Sequence, residues 1–464
     1  MMNGYNLGRA MTKAERIVNS LRQQIGKGVL APGASVPSIR RAAEDHGVSR
    51  NTVVEAYERL VAMGFLTARR GAGFFVAEAT RPVRQHETPR HVVEAVDHIS
   101  LLRAQLDQNY DVRVGDGRPP GSWMTATIPR RIFASSADSI ADSSGYGVPK
   151  GNTSIRELIA ARHQSQNIDL TPEQIVTTFG GNHALDLIVR RYLRPGDCVL
   201  VDDPGYYPLF AKLKLAQVRF VGVRRGPVGP DLDDLAQKVA REGPKMFFTQ
   251  SLAQNPTGSS LDLPTAHGIL RITEQAGCRV VDDDPFIDLP GIEGVRLAAL
   301  DQFRNVIFVG TFSKMLSASF RSGYIAAAPD VAAELAELKM ITSVNSSRFS
   351  ELMIVDIIRS RRYQRHLNRI ARLTRDAAST LAKTLRGLGL RTHTSPAQGY
   401  YTYLMLPKGM DDLALAHRAA AEGIFLAPGT FFSVDPEAHL HGIRINVARA
   451  NDPRFTRFLR NTLC

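Results

Sequence analysis

A chain of 464 residues is too long for one compact core, and its 22% charged and 44% apolar residues suit a folded, soluble protein of two or three domains. No stretch approaches the ~20 apolar residues that a bilayer span requires, and no apolar run follows the first basic residues as a signal peptide would. The net charge is +13, and residues 1–80 hold eleven Lys and Arg against six Asp and Glu, a balance that points to an acidic partner such as nucleic acid. Three cysteines, Cys198, Cys278 and Cys464, show neither pairing nor metal-ligand spacing, so no metal site is expected and a reducing, cytoplasmic setting is.

In chain order, Ile17, Val18, Leu21 and Ile25 recur at helical spacing between Ala14 and Ile25. Gly26, Gly28, Pro32 and Gly33 then turn the chain. Ser38 is placed to cap a second helix over Ile39–Asp45, and Gly47 stops it. Ser49 caps a third, whose Val53, Val54, Tyr57, Leu60 and Val61 face inward. Two helices joined by a tight glycine turn make a helix-turn-helix, with Arg50, Asn51 and Thr52 in the first turn of the helix that enters a major groove. Arg40 and Arg41, on the preceding helix, suit backbone phosphates. Phe65–Ala68 and Phe74–Val76 read as two strands joined by Arg69-Arg70-Gly71-Ala72-Gly73, a wing with a basic tip.

The blocks Pro37-Ser38-Ile39-Arg40, Val48-Ser49-Arg50-Asn51-Thr52-Val53, Gly64-Phe65-Leu66 and Gly73-Phe74-Phe75-Val76 resemble the GntR-type winged helix-turn-helix. Residues 1–78 are therefore expected to bind operator DNA through Ser38, Arg40, Arg41, Ser49, Arg50, Asn51, Thr52, Arg69, Arg70 and Gly73. Residues 79–115 read as a linker with a moderately amphipathic helix over His91–Asn109, which rests on either neighbouring domain.

From residue 116 to 464 short apolar runs alternate with helical patterns. Val199–Val201, Val218–Val221, Phe247–Phe248, Val280–Val281 and Val306–Val309 read as buried strands, separated by helices such as Ala184–Tyr192 and Pro264–Ala276. This rhythm predicts an α/β fold with a mainly parallel sheet, whose ligands sit in the loops after the strands. Gly180-Gly181-Asn182 opens a helix N-terminus, which attracts phosphate. Lys314 follows a strand between hydroxyls and glycine, with Thr311, Ser313 and Arg321 close in sequence. Taken singly, Lys314 also fits a surface lysine and Arg444 a structural ion-pair partner.

Seven blocks in order resemble the fold-type I, class I aminotransferases: Gly145-Tyr146-Gly147 with Gly151, Gly180-Gly181, Asp203-Pro204-Gly205-Tyr206, Asn255-Pro256-Thr257-Gly258, Asp282–Pro285, Ser313-Lys314 with Arg321–Tyr324, and Ile443-Arg444-Ile445. The resemblance implies a large part over about 145–330, a small part over about 331–464 and the cofactor pyridoxal 5′-phosphate. It implies that Lys314 forms the Schiff base, Asp283 pairs with the pyridine nitrogen and Asn255 donates to the phenolic oxygen. Tyr206 stacks on the ring, with its neighbour Tyr207 as the alternative. Gly181, Asn182, Thr311, Ser313 and Arg321 hold the phosphate, Arg444 grips a ligand carboxylate, and Tyr146 reaches the partner subunit's site in a homodimer. Asp282 and Asp284 remain alternatives to Asp283. One departure stands out: Phe286 occupies a position where the family usually has Tyr, so the internal imine is expected to be more basic and transamination weaker.

Together the two halves resemble the MocR subfamily of GntR-type regulators. The implied function is a transcription regulator that senses an amine, an amino acid or pyridoxal phosphate itself through an aldimine at Lys314. The alternatives are an active aminotransferase with an accessory DNA-binding arm, and a DNA binder whose large part is a cofactor-free dimerisation scaffold.

Overall fold

The computed structural model describes residues 12–69, 71–77, 89–107, 110–124, 145–435, 437 and 440–463. Arg70, Asn109 and Cys464 lie outside them. The chain divides into two compact units, Met1–Thr88 and Pro89–Cys464.

In the first unit α1 (Lys13–Gly26) starts at a capping box, with the Thr12 hydroxyl accepting from the Glu15 amide and the Glu15 carboxylate from the Thr12 amide. Helix α2 (Ile39–His46) begins at Ser38, whose hydroxyl accepts from the Arg41 amide, and ends at Gly47 with φ +59. Helix α3 (Arg50–Ala62) begins at Ser49, whose hydroxyl accepts from the Thr52 amide. These caps supply partners to amides that a helix start leaves unpaired. Ile17, Val18, Leu21, Val53, Tyr57 and Leu60 meet in one core, and the Tyr57 hydroxyl donates to the Pro37 carbonyl at 2.8 Å. Strands β1 (Leu66–Arg69) and β2 (Gly73–Val76) pair antiparallel, with Leu66 opposite Val76.

The second unit opens with α4 (Arg90–His98) and α5 (Ser100–Asp107), so the single helix expected over 91–109 is instead two. The Ile99 amide bonds the Val96 carbonyl in a tight turn that closes the first. Both helices belong to this unit: α4 lies against the helix Tyr207–Leu215, and Leu101 joins a core with Tyr207 and Phe210. Leu101 is buried there, while Val93, Val96 and Leu106 of the apolar stripe read from the sequence stay exposed.

The strands of this unit are β3 (Ile175–Thr178), β4 (Cys198–Asp203), β5 (Arg219–Gly226), β6 (Gly229–Pro230), β7 (Met246–Thr249), β8 (Arg279–Asp284), β9 (Val306–Thr311) and β10 (Gly323–Ala326). They form one sheet in the order β3-β10-β9-β8-β7-β4-β5-β6. The run from β9 to β5 is parallel, while β10 is antiparallel to both its neighbours. Alternate residues serve opposite faces: Leu200, Phe247, Val280 and Phe308 fill one core, and Val199, Val201, Phe248, Val281 and Ile307 the other. A strand buried on both faces has to be apolar at every position, which explains the unbroken runs in the sequence. A second, antiparallel sheet joins β11 (Tyr401–Met405), β13 (Gly442–Asn446) and β12 (Ala427–Pro428), with β13 in the middle. No described helix is long and apolar enough to cross a membrane. Among the described residues no cluster of three or more His, Cys, Asp or Glu side chains is placed to hold a metal.

Candidate functional site

The loops after the parallel strands converge on a cavity of about 330 Å³. Because β7, β8 and β9 run the same way, their carboxyl ends deliver Gln250, Asp283 and Lys314 to one place. The Lys314 ammonium donates to the Gly117 carbonyl at 2.6 Å and lies 5.7 Å from the centre of the Tyr401 ring. The Tyr401 hydroxyl donates to the same carbonyl at 2.8 Å.

Of the three consecutive aspartates, Asp283 alone lines the cavity. Asp282 is turned inward, accepting from the Ser251 amide and hydroxyl at 2.9 and 2.6 Å, and Asp284 pairs with Arg296 at 2.8 Å. Burial pushes the Asp283 carboxyl up to about 7, although the amide of Gln250, donating at 2.9 Å, holds it below what burial alone would give. A carboxyl so placed gains from any cation brought beside it.

Asn255 and Arg444 act as a pair. The Asn255 carbonyl oxygen accepts from Arg444 Nη1 at 3.0 Å, which leaves the amide nitrogen of Asn255 as its donor toward the cavity. Arg444 sits in the middle strand β13 and is 1% exposed. Its guanidinium lies between the rings of Tyr401 and Phe432, each centred 5.0 Å away, and Nη2 donates to the Gly115 carbonyl at 2.6 Å. Arg444 Nε has no hydrogen-bond partner among the described residues, an unusual condition for a buried cation. Tyr206 and Tyr207 both line the cavity, but the Tyr207 hydroxyl is engaged by the Gln105 amide at 3.2 Å and its ring stands edge-on to Phe432. Burial pushes the Tyr206 hydroxyl well above its ordinary range, so it stays protonated.

Gly181, Asn182, Thr311, Ser313 and Arg321 gather at the other end of the cavity. Gly180 has φ +87, and a side chain there would stand 3.4 Å from Arg321 Nη2, so glycine lets the guanidinium close over the start of the helix Gly181–Tyr192. The Ser313 amide donates to the Thr311 hydroxyl at 3.2 Å, and the Thr311 hydroxyl donates to that of Ser313 at 3.1 Å. Helix amides, two hydroxyls and a guanidinium make a cup for a dianion.

Tyr146 does not line this cavity and is 86% exposed. Phe286 is fully buried, edge-on to Tyr400 and Tyr401 at 5.2 and 5.8 Å, while Pro285 forms the wall in front of it. Sequence reasoning passed over Gln105, Gly117, Gln250 and Tyr401. The first lies in what reads as linker, and the other three carry no motif; the pair Gly399-Tyr400, just before β11, was the nearest signal for Tyr401.

In the first unit Arg50 and Asn51 are exposed in the first turn of α3, and Arg41 is exposed on α2. Arg40 pairs with Glu44 at 3.3 Å on the surface, and the Thr52 hydroxyl lies 2.8 Å from that of Ser49. Arg69 places its guanidinium 4.6 Å from the Phe75 ring centre, and Gly73 takes φ +99 at the wing turn. Arg70 falls outside the described residues.

The model of the class I and II aminotransferases matches residues 108–461. The chain belongs to that family. Residues 13–76 match the bacterial regulatory proteins of the gntR family, so a winged helix-turn-helix of that type precedes the aminotransferase-like part. The HTH-type transcriptional regulator YdcR of Escherichia coli (strain K12) is 29% identical over 91% of this chain and 92% of its own length. A 2-aminoadipate transaminase of Thermus thermophilus is 29% identical over 61% of this chain and 72% of its own. Among solved structures, that of LysN, the α-aminoadipate aminotransferase of Thermus thermophilus complexed with N-(5′-phosphopyridoxyl)-L-leucine, superposes with a TM-score of 0.69. It is 25% identical and covers 79% of this chain and 97% of its own. The architecture is thus that of a MocR-like regulator, and the cofactor it implies is pyridoxal phosphate.

The cavity fits that cofactor on its own chemistry. The anion cup matches a phosphate, the buried Asp283 carboxyl a protonated ring nitrogen, the free donor of Asn255 a phenolate oxygen, and Lys314 an aldehyde.

Proposed function

We propose that this protein is a pyridoxal-phosphate-dependent transcription regulator that senses an amine, an amino acid or the cofactor itself. The aminotransferase-like unit does the sensing, and Arg50, Asn51 and their neighbours read operator DNA. The observation that carries this reading is the segment 115–118, which lies on the C-terminal side of α4 and α5. Two of its carbonyls are held by residues that line the cavity, Gly115 by Arg444 and Gly117 by Lys314 and Tyr401, while Asn446 at 2.8 Å and Arg449 at 2.7 Å hold those of Asp116 and Arg118. A ligand carboxylate on Arg444 and a bond at the Lys314 nitrogen compete for the same donors, so occupancy of the cavity bears on the segment that leads back to the DNA-binding unit.

When bound, the cofactor supplies an aldehyde carbon open to amines and a ring that withdraws electrons. The chain's residues hold it in place. Asp283 keeps a proton on the ring nitrogen, Asn255 donates to the phenolic oxygen, Tyr206 covers the ring face, and the cup of Gly181, Asn182, Thr311, Ser313 and Arg321 fixes the phosphate. Lys314 would hold the aldehyde and be the group a ligand amine competes with, and Arg444 would donate two parallel hydrogen bonds to a ligand carboxylate. Two chains pair so that Tyr146 completes the partner's phosphate site; exposed Met340, Ile341 and Phe349 supply apolar surface for that pairing.

Borohydride reduction followed by peptide mass spectrometry is expected to find the adduct on Lys314 and to lose it in Lys314→Ala. Titration of the upstream promoter is expected to show specific binding that shifts with pyridoxal phosphate or an amino acid and is abolished by Arg50→Ala. Unaltered affinity in Arg50→Ala, or an adduct on another lysine, sinks the reading. The buried Arg444 at the cavity wall and the likeness to a 2-aminoadipate transaminase favour a second one, an active aminotransferase. Steady turnover of an amino donor with a 2-oxoacid by the purified protein decides for it; activity that appears only in Phe286→Tyr decides for the regulator.

A further inference from the structure

The strongest concentration of charge in the chain lies outside both sites. Between residues 359 and 391 there are ten arginines and lysines against one acid, Asp376. Most sit on the helix Arg362–Gly387, which buries Tyr363, Leu367, Ile370, Thr374, Ala377, Leu381 and Leu385 along its opposite face. Arg361, Arg362, Arg365, Arg372, Arg375, Lys383 and Arg386 are all exposed. At 100° per residue Arg361, Arg365, Arg372 and Lys383 fall on one line, and from Arg361 to Arg386 the stripe runs roughly 37 Å.

Four exposed arginines on other helices are neutralised within the same helix: Arg40 with Glu44, Arg59 with Glu55, Arg90 with Glu94 and Arg190 with Asp186. None of the seven cations has an ion-pair partner among the described residues. Arg361, Arg365 and Arg369 even follow one another at four-residue spacing, a like-charge ladder that works against the helix. A fold carries such a ladder most readily where a polyanion offsets it.

We infer that this stripe is a second DNA-contact surface, which binds the phosphate backbone of duplex flanking the sequence read by the winged helices. Arginine suits phosphate through its paired donors, and the stripe's length is close to one turn of duplex, about 34 Å. The choice of DNA over another polyanion rests on the DNA-reading function of the first unit. The stripe carries no base-reading role; it adds affinity that salt screens.

The test compares full-length protein on two duplexes from the region upstream of its own coding sequence. One is trimmed to the footprint of the winged helices and the other extends about two helical turns to each side. The unaltered protein is expected to bind the longer duplex more tightly and with a steeper salt dependence. Combining Arg361→Gln, Arg365→Gln, Arg372→Gln and Arg375→Gln is expected to remove that difference. The slope of log K against log salt on the long duplex should fall by about three to four, with affinity for the short one unchanged. Lysine at the same four positions is expected to restore the slope, which separates lost charge from a disturbed fold. Equal affinity of the unaltered protein for both duplexes, or a combined variant that keeps the full slope, overturns the stripe and leaves the regulator intact. Failure to bind either duplex overturns both. A variant that loses binding to phosphatidylglycerol vesicles yet keeps the long duplex assigns the stripe to a membrane surface and likewise overturns the inference.

Discussion

Asp283 shows how one residue's surroundings set its chemistry. Its folded pKa, pushed by burial to about 7, stands above the unfolded value of 3.8, so folding disfavours the charged form. The stability this carboxyl allows is therefore fully present below about pH 4 and lost as pH rises through about 7. Asp283→Asn removes the charge. In cofactor-free protein it is expected to be as stable as the parent at pH 4 and more stable at pH 8, by on the order of 2–3 kcal/mol once partial exposure at the cavity wall is allowed for. Thermal unfolding of the larger unit across that range measures the gap. Asp282, itself raised to about 6, adds a slope of its own in both proteins, and its charge adds to the Asp283 penalty that the variant removes. With pyridoxal phosphate added the order is expected to invert, because the parent gains the ring's cation as a partner and the variant does not. A gap that is flat with pH contradicts the assignment of Asp283 as the proton-holding group.

At the scale of elements, the segment 115–118 is held as tightly by backbone as by side chains. The Gly115 amide donates to the Phe425 carbonyl at 2.8 Å, and a β-carbon on Gly115 would stand 2.5 Å from the Leu426 carbonyl carbon. Backbone cannot yield as a side-chain tip does, so Gly115→Ala is expected to push the segment off Arg444 and to cost about 1–3 kcal/mol in unfolding free energy. Its functional signature is sharper: cofactor still bound at Lys314, DNA still bound, and the effect of ligand on DNA affinity gone. Absorbance of the bound cofactor, set beside promoter titration, reads both. Almost none of this was legible in the sequence. Strands buried on both faces announce themselves as apolar runs, and Lys314, Asp283, Asn255 and Arg444 sit in recognisable blocks. By contrast, Gly117 acts through a carbonyl that every residue type has, and Gln105 comes from a stretch whose mixed composition reads as linker. The aspartate triplet was ambiguous for a related reason: only the pleat of β8, which turns Asp282 and Asp284 inward, singles out the middle residue.

For the whole molecule, sensing requires that events in the cavity alter the grip on DNA, and thermodynamics limits how. If a ligand amine changes operator affinity by some factor, operator DNA must change the protein's affinity for that amine by the same factor, because both routes close one cycle. Couplings of this kind are commonly about 5–150-fold, well within calorimetric reach. Titrating the amine into the holo protein with and without saturating promoter duplex is therefore expected to return the factor found when duplex is titrated with and without the amine. If segment 115–118 carries the coupling in each direction, both factors in Gly115→Ala are expected to fall to about one together. Unequal factors in the parent point instead to a ligand that changes assembly state, because pairing of subunits adds a concentration-dependent step outside the two-ligand cycle. Repeating the titrations at several protein concentrations separates these cases: the factor stays constant where segment 115–118 transmits the signal and drifts where subunit association does.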